Sequence, residues 1–125
     1  MGRKKESLQG ERIGIGMTDE KTTVAELKKY IQDFSVARGW RKDQNAKDLV
    51  MALNVEAAEL SEIFMWLHSD EADTVQVDEK EYEHLKEEIA DVFWYLCRLC
   101  EHFDIDLSEA VLDKAVKNAR KYPVK

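Results

Sequence analysis

The segment LVMALNVEAAELSEIFMWL, residues 49–67, is the strongest indication of how this chain folds. Fourteen of its 19 residues are apolar and its only charged residues are glutamates, so it predicts a packed helix that carries acids. Its apolar residues recur every three or four positions, and Glu56 falls within that row, so we expect Glu56 to face the core. Glu59 follows three residues later, about 60° round the helix, where the two carboxylates can converge.

A second long helix is predicted to repeat this arrangement. Its apolar row also steps by four and three residues, through Leu85, Ile89, Val92, Leu96, Leu99 and Phe103. Beside this row lie Glu88 and Asp91, again three residues apart. An ExxE pair on one helix is therefore expected to face an ExxD pair on the other.

These acids predict a metal site. Burial of an unpaired carboxylate costs several kcal/mol and clustering adds repulsion, so an offsetting charge is needed. Oxygen ligands favour hard cations, which makes Mg²⁺ the predicted cofactor and Mn²⁺ the alternative. The expected ligands are Glu56, Glu59, Glu88 and Asp91. The opposing interpretation is that some of these acids lie on a solvated helix face and hold no ion.

The composition is that of one small globular domain. At 125 residues the chain is long enough for a single core, and its 44% hydrophobic and 36% charged residues argue against a disordered protein. A net charge of −7 speaks against nonspecific nucleic-acid binding, so no nucleic-acid partner is expected. No apolar run reaches about 18 residues and the N-terminus does not resemble a signal peptide, so we expect a cytoplasmic protein without a membrane segment.

The positions of glycine and proline predict the domain organisation. Four of the five glycines lie in the first 16 residues and the only proline is Pro123, so residues 1–20 are expected to form a flexible leader and residues 21–125 an all-helical domain. Capping residues predict four helices, and hence an all-α four-helix bundle with two long central helices. The helices are expected to begin near Thr23, Asn45, Asp78 and Asp106 and to end near Gly39, His68, His102 and Tyr122, with a polar linker at 69–77.

Cys97 and Cys100 form a CxxC motif in the predicted third helix. No second cysteine pair or suitably spaced histidine accompanies them, and a redox-active motif would open a helix, so buried reduced thiols are predicted. Glu81 and His84 form one ExxH motif, whereas a di-iron bundle needs two of them.

The ordered set of motifs resembles one known family. It comprises Trp40, the ExxE pair, Trp66, the ExxD pair, Tyr95 and the tail KAVKNARKYP at 114–123. This set is similar to the metal signature and tail of the MazG-like all-α nucleoside triphosphate pyrophosphohydrolases, and is most similar to their dCTP pyrophosphatase branch. The similarity extends from Leu27 to Pro123.

This resemblance implies a reaction and the residues that perform it. Members of the family cleave a nucleoside triphosphate between the α and β phosphates with metal-activated water, and they release a monophosphate and pyrophosphate. Glu59 or Glu62 would then act as general base. The nucleobase would be bound by Trp40, Gln44, Trp66 and Tyr95, and the triphosphate by Lys114, Asn118, Arg120 and Tyr122. The opposing interpretations are core packing for the aromatic residues and a helix-dipole interaction for the tail cations.

Two positions leave the substrate open. Gln44 stands where the dCTP-specific branch has a histidine, and Asp48 stands where its relatives have an asparagine. The candidates are therefore dCTP, a modified dCTP, dUTP or a damaged nucleotide.

The expected assembly is a homo-oligomer. The resemblance implies one, and apolar residues on several faces of the second helix exceed what one small bundle can cover. We expect a tetramer built as a dimer of dimers. The alternative to an enzyme is a non-catalytic helical module that binds a nucleotide or a protein partner.

Overall fold

The computed structural model describes residues 16–40 and 44–125. Most of the predicted leader, and residues 41–43 before Gln44, lie outside this part of the chain. The elements in chain order are α1 (Val24–Ala37), α2 (Ala46–Met65), the short α3 (Ser69–Ala72), a 3-10 turn (Val75–Val77), α4 (Glu79–His102) and α5 (Leu107–Lys121). Every regular element in the described ranges is helical, and the predicted all-α fold class is confirmed.

Local capping sets the helix boundaries close to those predicted. Thr23 Oγ1 accepts a hydrogen bond from the Glu26 backbone N–H at 3.1 Å, and the Glu26 carboxylate accepts one from the Thr23 N–H in return. Asn45 and Asp48 form the same reciprocal capping box at the start of α2. Asp48, the residue that departs from the family pattern, thus has a structural role in this chain.

The predicted linker at 69–77 is more ordered than its polar composition indicates. It contains α3 and the 3-10 turn, and Val75 within that turn is buried. The 3-10 turn packs against α4. One apolar side chain in a polar segment is therefore enough to fix the linker against the core.

The core is formed where α2 and α1 pack against α4. Its buried apolar side chains are Ile31, Leu49, Ile63, Val75, Cys97 and Cys100. Both cysteines are free and buried, as predicted. Burial raises the pKa of the Cys97 thiol to about 11, so the thiol stays protonated at neutral pH.

Part of the predicted packing is not made within one chain. Leu85, Val92 and Leu99 of the α4 row are half-buried, whereas Ile89, Leu96 and Phe103 of the same row are exposed. Every residue of α5 after Leu107 is exposed, including Leu112 at 68%. The fourth helix is thus present, but it does not close a bundle with the other three inside a single chain. None of the described helices is long and apolar enough to cross a membrane.

Candidate functional site

The packing of α2 on α4 brings three acids together. Glu56, Glu59 and Glu88 each place one carboxylate oxygen so that all three oxygens lie within 4.8 Å of one another. Glu88 is only 7% exposed, and Glu56 and Glu59 are half-buried. The convergence follows from the spacing, because residues three apart project from neighbouring positions on one face of each helix. We call these three residues the acid cluster.

The acid cluster lacks internal partners for its buried oxygens. Oε2 of Glu56 and Oε2 of Glu88 are both buried, and neither has a hydrogen-bond partner among the described residues. Within residues 16–40 and 44–125, the only ion pair to these acids joins His84 Nε2 to Glu88 Oε1, at 3.4 Å. Hard oxygen donors with unsatisfied lone pairs are what a divalent cation such as Mg²⁺ requires, so the donor set fits a hard metal ion.

In the absence of a cation, two carboxyl groups of the acid cluster have raised pKa values. Burial, together with the charges of Asp91 and Glu59, raises the pKa of Glu56 from its ordinary value of 4.5 to about 7. Burial also raises the pKa of Glu88, although the neighbouring Glu56 carboxyl group acts in the opposite direction. The metal-free cluster therefore retains a proton near neutral pH, because two or more adjacent carboxylates resist full ionisation.

The fourth predicted ligand and the second candidate base lie at the edge of this group. Asp91 is half-buried and falls outside the three-oxygen group, yet its charge is the second cause of the raised pKa of Glu56. Glu62 is exposed and also falls outside the group. Glu62 thus differs from Asp91 in facing solvent.

The residues predicted to bind the nucleobase are not equally placed. Tyr95 is half-buried on α4, one turn after Asp91, and Trp40 is 46% exposed at the end of the first helical segment. Trp66 is 86% exposed at the end of α2. Gln44 is half-buried, and its amide oxygen is buried without a hydrogen-bond partner in the described part of the chain.

The residues predicted to bind the triphosphate all lie at the C-terminal end of the chain. Lys114, Asn118, Arg120 and Tyr122 are exposed on or just after α5. Among the described contacts, none of them forms a hydrogen bond or an ion pair with the acid cluster. The single chain therefore does not bring these two halves of the predicted site together.

Two neighbours of the site were not identified from the sequence. His84 approaches Glu88 from one turn earlier on α4, and the four-residue spacing of the two could have revealed it. Arg98 is buried at 5% exposure, and its Nη2 donates a hydrogen bond to the Trp40 carbonyl at 3.3 Å. A basic residue inside the apolar run FWYLCRLC was the available signal for Arg98.

Comparison with known proteins gives consistent matches. The profile of the MazG-like family matches residues 51–125. Mouse dCTP pyrophosphatase 1 is 30% identical over 125 residues, which cover 92% of this chain and 74% of the mouse protein. Human dCTP pyrophosphatase 1 is 33% identical over 101 residues, which cover 81% of this chain and 59% of the human protein.

A solved structure matches as well. The crystal structure of a pyrophosphatase from Archaeoglobus fulgidus is 41% identical and superposes with a TM-score of 0.72. The match covers 80% of this chain and 92% of the archaeal one.

Proposed function

The chain belongs to the MazG-like family, and from this we propose that it hydrolyses a deoxynucleoside triphosphate between the α and β phosphates, releasing a monophosphate and pyrophosphate. The sequence-based prediction of a pyrophosphohydrolase is confirmed by its pyrophosphatase relatives. The observation that carries the proposal is the acid cluster, with three carboxylate oxygens within 4.8 Å on two packed helices. In a non-catalytic module the mutual repulsion of these carboxylates would only lower stability, and leucines at these positions would make the fold more stable.

We further propose that Glu56, Glu59 and Glu88, together with Asp91, hold Mg²⁺ or Mn²⁺. The unsatisfied buried oxygens of Glu56 and Glu88 support this assignment. When bound, the cation would polarise phosphoryl oxygens and lower the pKa of a bound water. Water attacks the α-phosphorus, the bond from that phosphorus to the bridging oxygen breaks, and pyrophosphate leaves.

A carboxylate must accept the proton of the attacking water. Glu59 and Glu62 are the two candidates. Because Glu59 lies within the group of candidate ligands and Glu62 outside it, we favour Glu62 as the acid that remains free to take the proton.

We propose dCTP, or a modified form of it, as the substrate. The names of the mouse and human relatives support cytosine. The unpartnered amide oxygen of Gln44 offers an acceptor for an exocyclic amino group such as that of cytosine. Trp40, Trp66 and Tyr95 offer aromatic faces on which a base can stack.

We propose that the protein works as a homo-tetramer, a dimer of dimers, in the cytoplasm. Tyr82, Ile89, Leu96 and Phe103 recur every seven residues along α4 and are all exposed, which is the spacing of a helix-packing seam without a partner. The apolar residues Val111, Leu112 and Val116 of α5 are exposed too. A second copy that covers these surfaces would also supply Lys114, Asn118, Arg120 and Tyr122 to the acid cluster.

The test is a substrate panel. The purified protein is incubated with each deoxynucleoside triphosphate and Mg²⁺, and the monophosphate and pyrophosphate are quantified. We expect turnover, fastest with a cytosine nucleotide, that disappears in Glu56→Gln. If no substrate yields pyrophosphate above the Glu56→Gln level, the proposal is wrong and a non-catalytic binding module is favoured instead.

A further inference from the structure

Arg98 is a buried cation that has no acidic partner among residues 16–40 and 44–125. Among the described residues it is the one buried basic side chain, and no carboxylate of those ranges lies within ion-pair distance of its guanidinium. Its Nη2 instead donates a hydrogen bond to the backbone carbonyl of Trp40, 58 positions earlier in the chain. The guanidinium also lies over the Tyr95 ring, at 6.0 Å from its centroid.

Burial of a guanidinium against a neutral carbonyl is an expensive way to fill a core position. A methionine of similar length would pack there without the cost of desolvating a charge. A guanidinium, however, can fix a carbonyl in a defined direction with its rigid planar donors. The arginine at position 98 is therefore explained by the carbonyl group that it binds.

What it holds is the backbone of Trp40. The Trp40 N–H donates to the Ser35 carbonyl at 3.0 Å, and the Trp40 carbonyl accepts from Arg98. The indole packs edge-on against Phe34, with the ring centroids 5.6 Å apart. The indole nevertheless stays half exposed. Trp40 is thus a residue whose main chain is anchored on both sides while its ring remains available.

Arg98 lies on α4, the helix that carries Glu88 and Asp91. Glu88, Asp91, Tyr95 and Arg98 follow one another on α4 at steps of three, four and three, which places them along one side of a single helix. A helix with internal hydrogen bonds is rigid over this length. Arg98 therefore connects the indole of Trp40 to the same rigid element as the candidate metal ligands.

We propose that Arg98 is a positioning residue, which holds Trp40 at a fixed place relative to the acid cluster so that the indole can stack on the nucleobase. The inference rests on the proposed function, in which Trp40 binds the base. It assigns a role in substrate affinity to a side chain whose described contacts are with Trp40 and Tyr95 and not with the candidate metal ligands.

The test compares Arg98→Met, which cannot donate, with Arg98→Lys, which keeps a charged donor. We expect Arg98→Met to raise KM for the preferred nucleotide about tenfold, the size of one base–aromatic stacking contact, with kcat within about twofold of wild type. Arg98→Lys should recover part of the loss. The Mn²⁺ affinity of the nucleotide-free protein should not change in either variant, because the acid cluster is untouched.

Arg38→Met is the matched control. Arg38 also donates to a backbone carbonyl, that of Phe34 at 3.2 Å, and its guanidinium lies over the Phe34 ring, but it is exposed and makes no hydrogen bond to Trp40. We expect its KM to stay within about twofold of wild type. An equal rise in KM for Arg38→Met and Arg98→Met would overturn the inference, because loss of any arginine near this turn would then suffice.

A double variant decides whether Arg98 acts through Trp40. If it does, Arg98→Met combined with Trp40→Ala should bind no more weakly than Trp40→Ala alone. Additive losses, or an unchanged KM in Arg98→Met, would overturn the inference. If Arg98→Met does not fold, Arg98→Lys replaces it in the double variant with Trp40→Ala. Additive losses or an unchanged KM would again overturn the inference.

Failure of the proposed function gives a different pattern. If wild type does not turn over any nucleotide, the hydrolase assignment fails, but tryptophan fluorescence with a non-hydrolysable α,β-imido analogue of dCTP still measures binding. An Arg98→Met protein that binds this analogue as tightly as wild type would then overturn the positioning role itself.

Discussion

Glu56 on α2 and Glu88 on α4 each bury one carboxylate oxygen that has no hydrogen-bond partner, and both belong to the same group of converging oxygens. The two residues come from helices joined by more than a dozen intervening residues, so tertiary packing and not local sequence creates their repulsion. Without a cation, this pair is a weak point of the fold. We expect a bound cation to turn this repulsion into a stabilising link between the two helices.

Removal of one charge from the acid cluster should therefore raise the stability of the metal-free protein and lower the activity of the enzyme. We expect Glu88→Gln to stabilise the metal-free protein by about 1 kcal/mol or more, because one of the repelling charges is gone. The same variant should lose at least about 100-fold in kcat, because it removes a proposed metal ligand. Chemical denaturation in EDTA and steady-state assays measure the two effects.

Glu83→Gln serves as the matched control for this prediction. Glu83 lies on the same helix, is exposed and pairs with Lys86 at 2.8 Å. It should change neither the free energy of unfolding nor kcat appreciably. A Glu88→Gln protein that is less stable than wild type in EDTA would contradict the repulsion argument.

The raised pKa of Glu56 predicts a pH dependence of the metal-free protein. Its pKa is about 7 in the folded state against an ordinary value of 4.5, so between these values the folded chain keeps a proton that the unfolded chain has released. The free energy of unfolding should therefore fall as pH rises through this window, by on the order of 2 kcal/mol. Thermal melts in EDTA from pH 4.5 to 8 test the slope.

Saturating Mg²⁺ should reverse this trend. The cation binds the ionised carboxylates, so its stabilising effect should grow with pH and reach roughly 2.7 kcal/mol at a concentration 100 times its Kd. Glu56→Gln should abolish both the downward slope in EDTA and the gain with Mg²⁺. A stability profile that is flat in EDTA for wild type would contradict the assignment of a shared proton to this cluster.

The position of Glu62 outside the ligand group predicts a different kinetic signature from that of Glu59. We expect Glu62→Gln to lower kcat by about 100-fold while the Mn²⁺ affinity is retained, because a general base contributes typically that much without binding the metal. Glu59→Gln should lower both quantities. Manganese binding followed by electron paramagnetic resonance gives the affinity. If Glu62→Gln keeps a normal kcat, Glu62 is not the general base and Glu59 is favoured instead.

The exposed apolar face of α5 predicts that a charge placed there prevents assembly. Leu112→Glu should shift the molar mass measured by light scattering from that of an oligomer to that of a single chain, with loss of activity. Gln76→Glu, at an exposed site away from α5, is the control and should leave the mass unchanged. If wild type itself elutes as a single chain, the proposed tetramer is wrong.

Much of the fold could be predicted because its determinants are local. The capping pairs Thr23–Glu26 and Asn45–Asp48 fix the starts of two helices from residues three apart. The meeting of Glu56 with Glu88 could be predicted as well, because two apolar rows with adjacent acids can pack in few ways. Periodicity is a reliable guide when both partners lie in the same small core.

The remainder depends on contacts that periodicity does not specify. The row through Ile89, Leu96 and Phe103 indicates a face that needs covering, but not whether its own chain or another copy covers it. The bond from Arg98 to Trp40 joins positions 58 apart, and nothing in either neighbourhood indicates the other. Val75 is the one buried apolar residue of the polar segment 69–77, and its burial depends on where α4 passes.

The buried thiols of α4 provide a natural reporter on this molecule. With a pKa of about 11, only about one in ten thousand Cys97 side chains is a thiolate at pH 7, and the side chain is closed to solvent. Alkylating reagents can then react only during the moments when the helix opens. The rate of iodoacetamide incorporation, measured by mass spectrometry, would therefore report the rate of local opening of the core without any engineered probe.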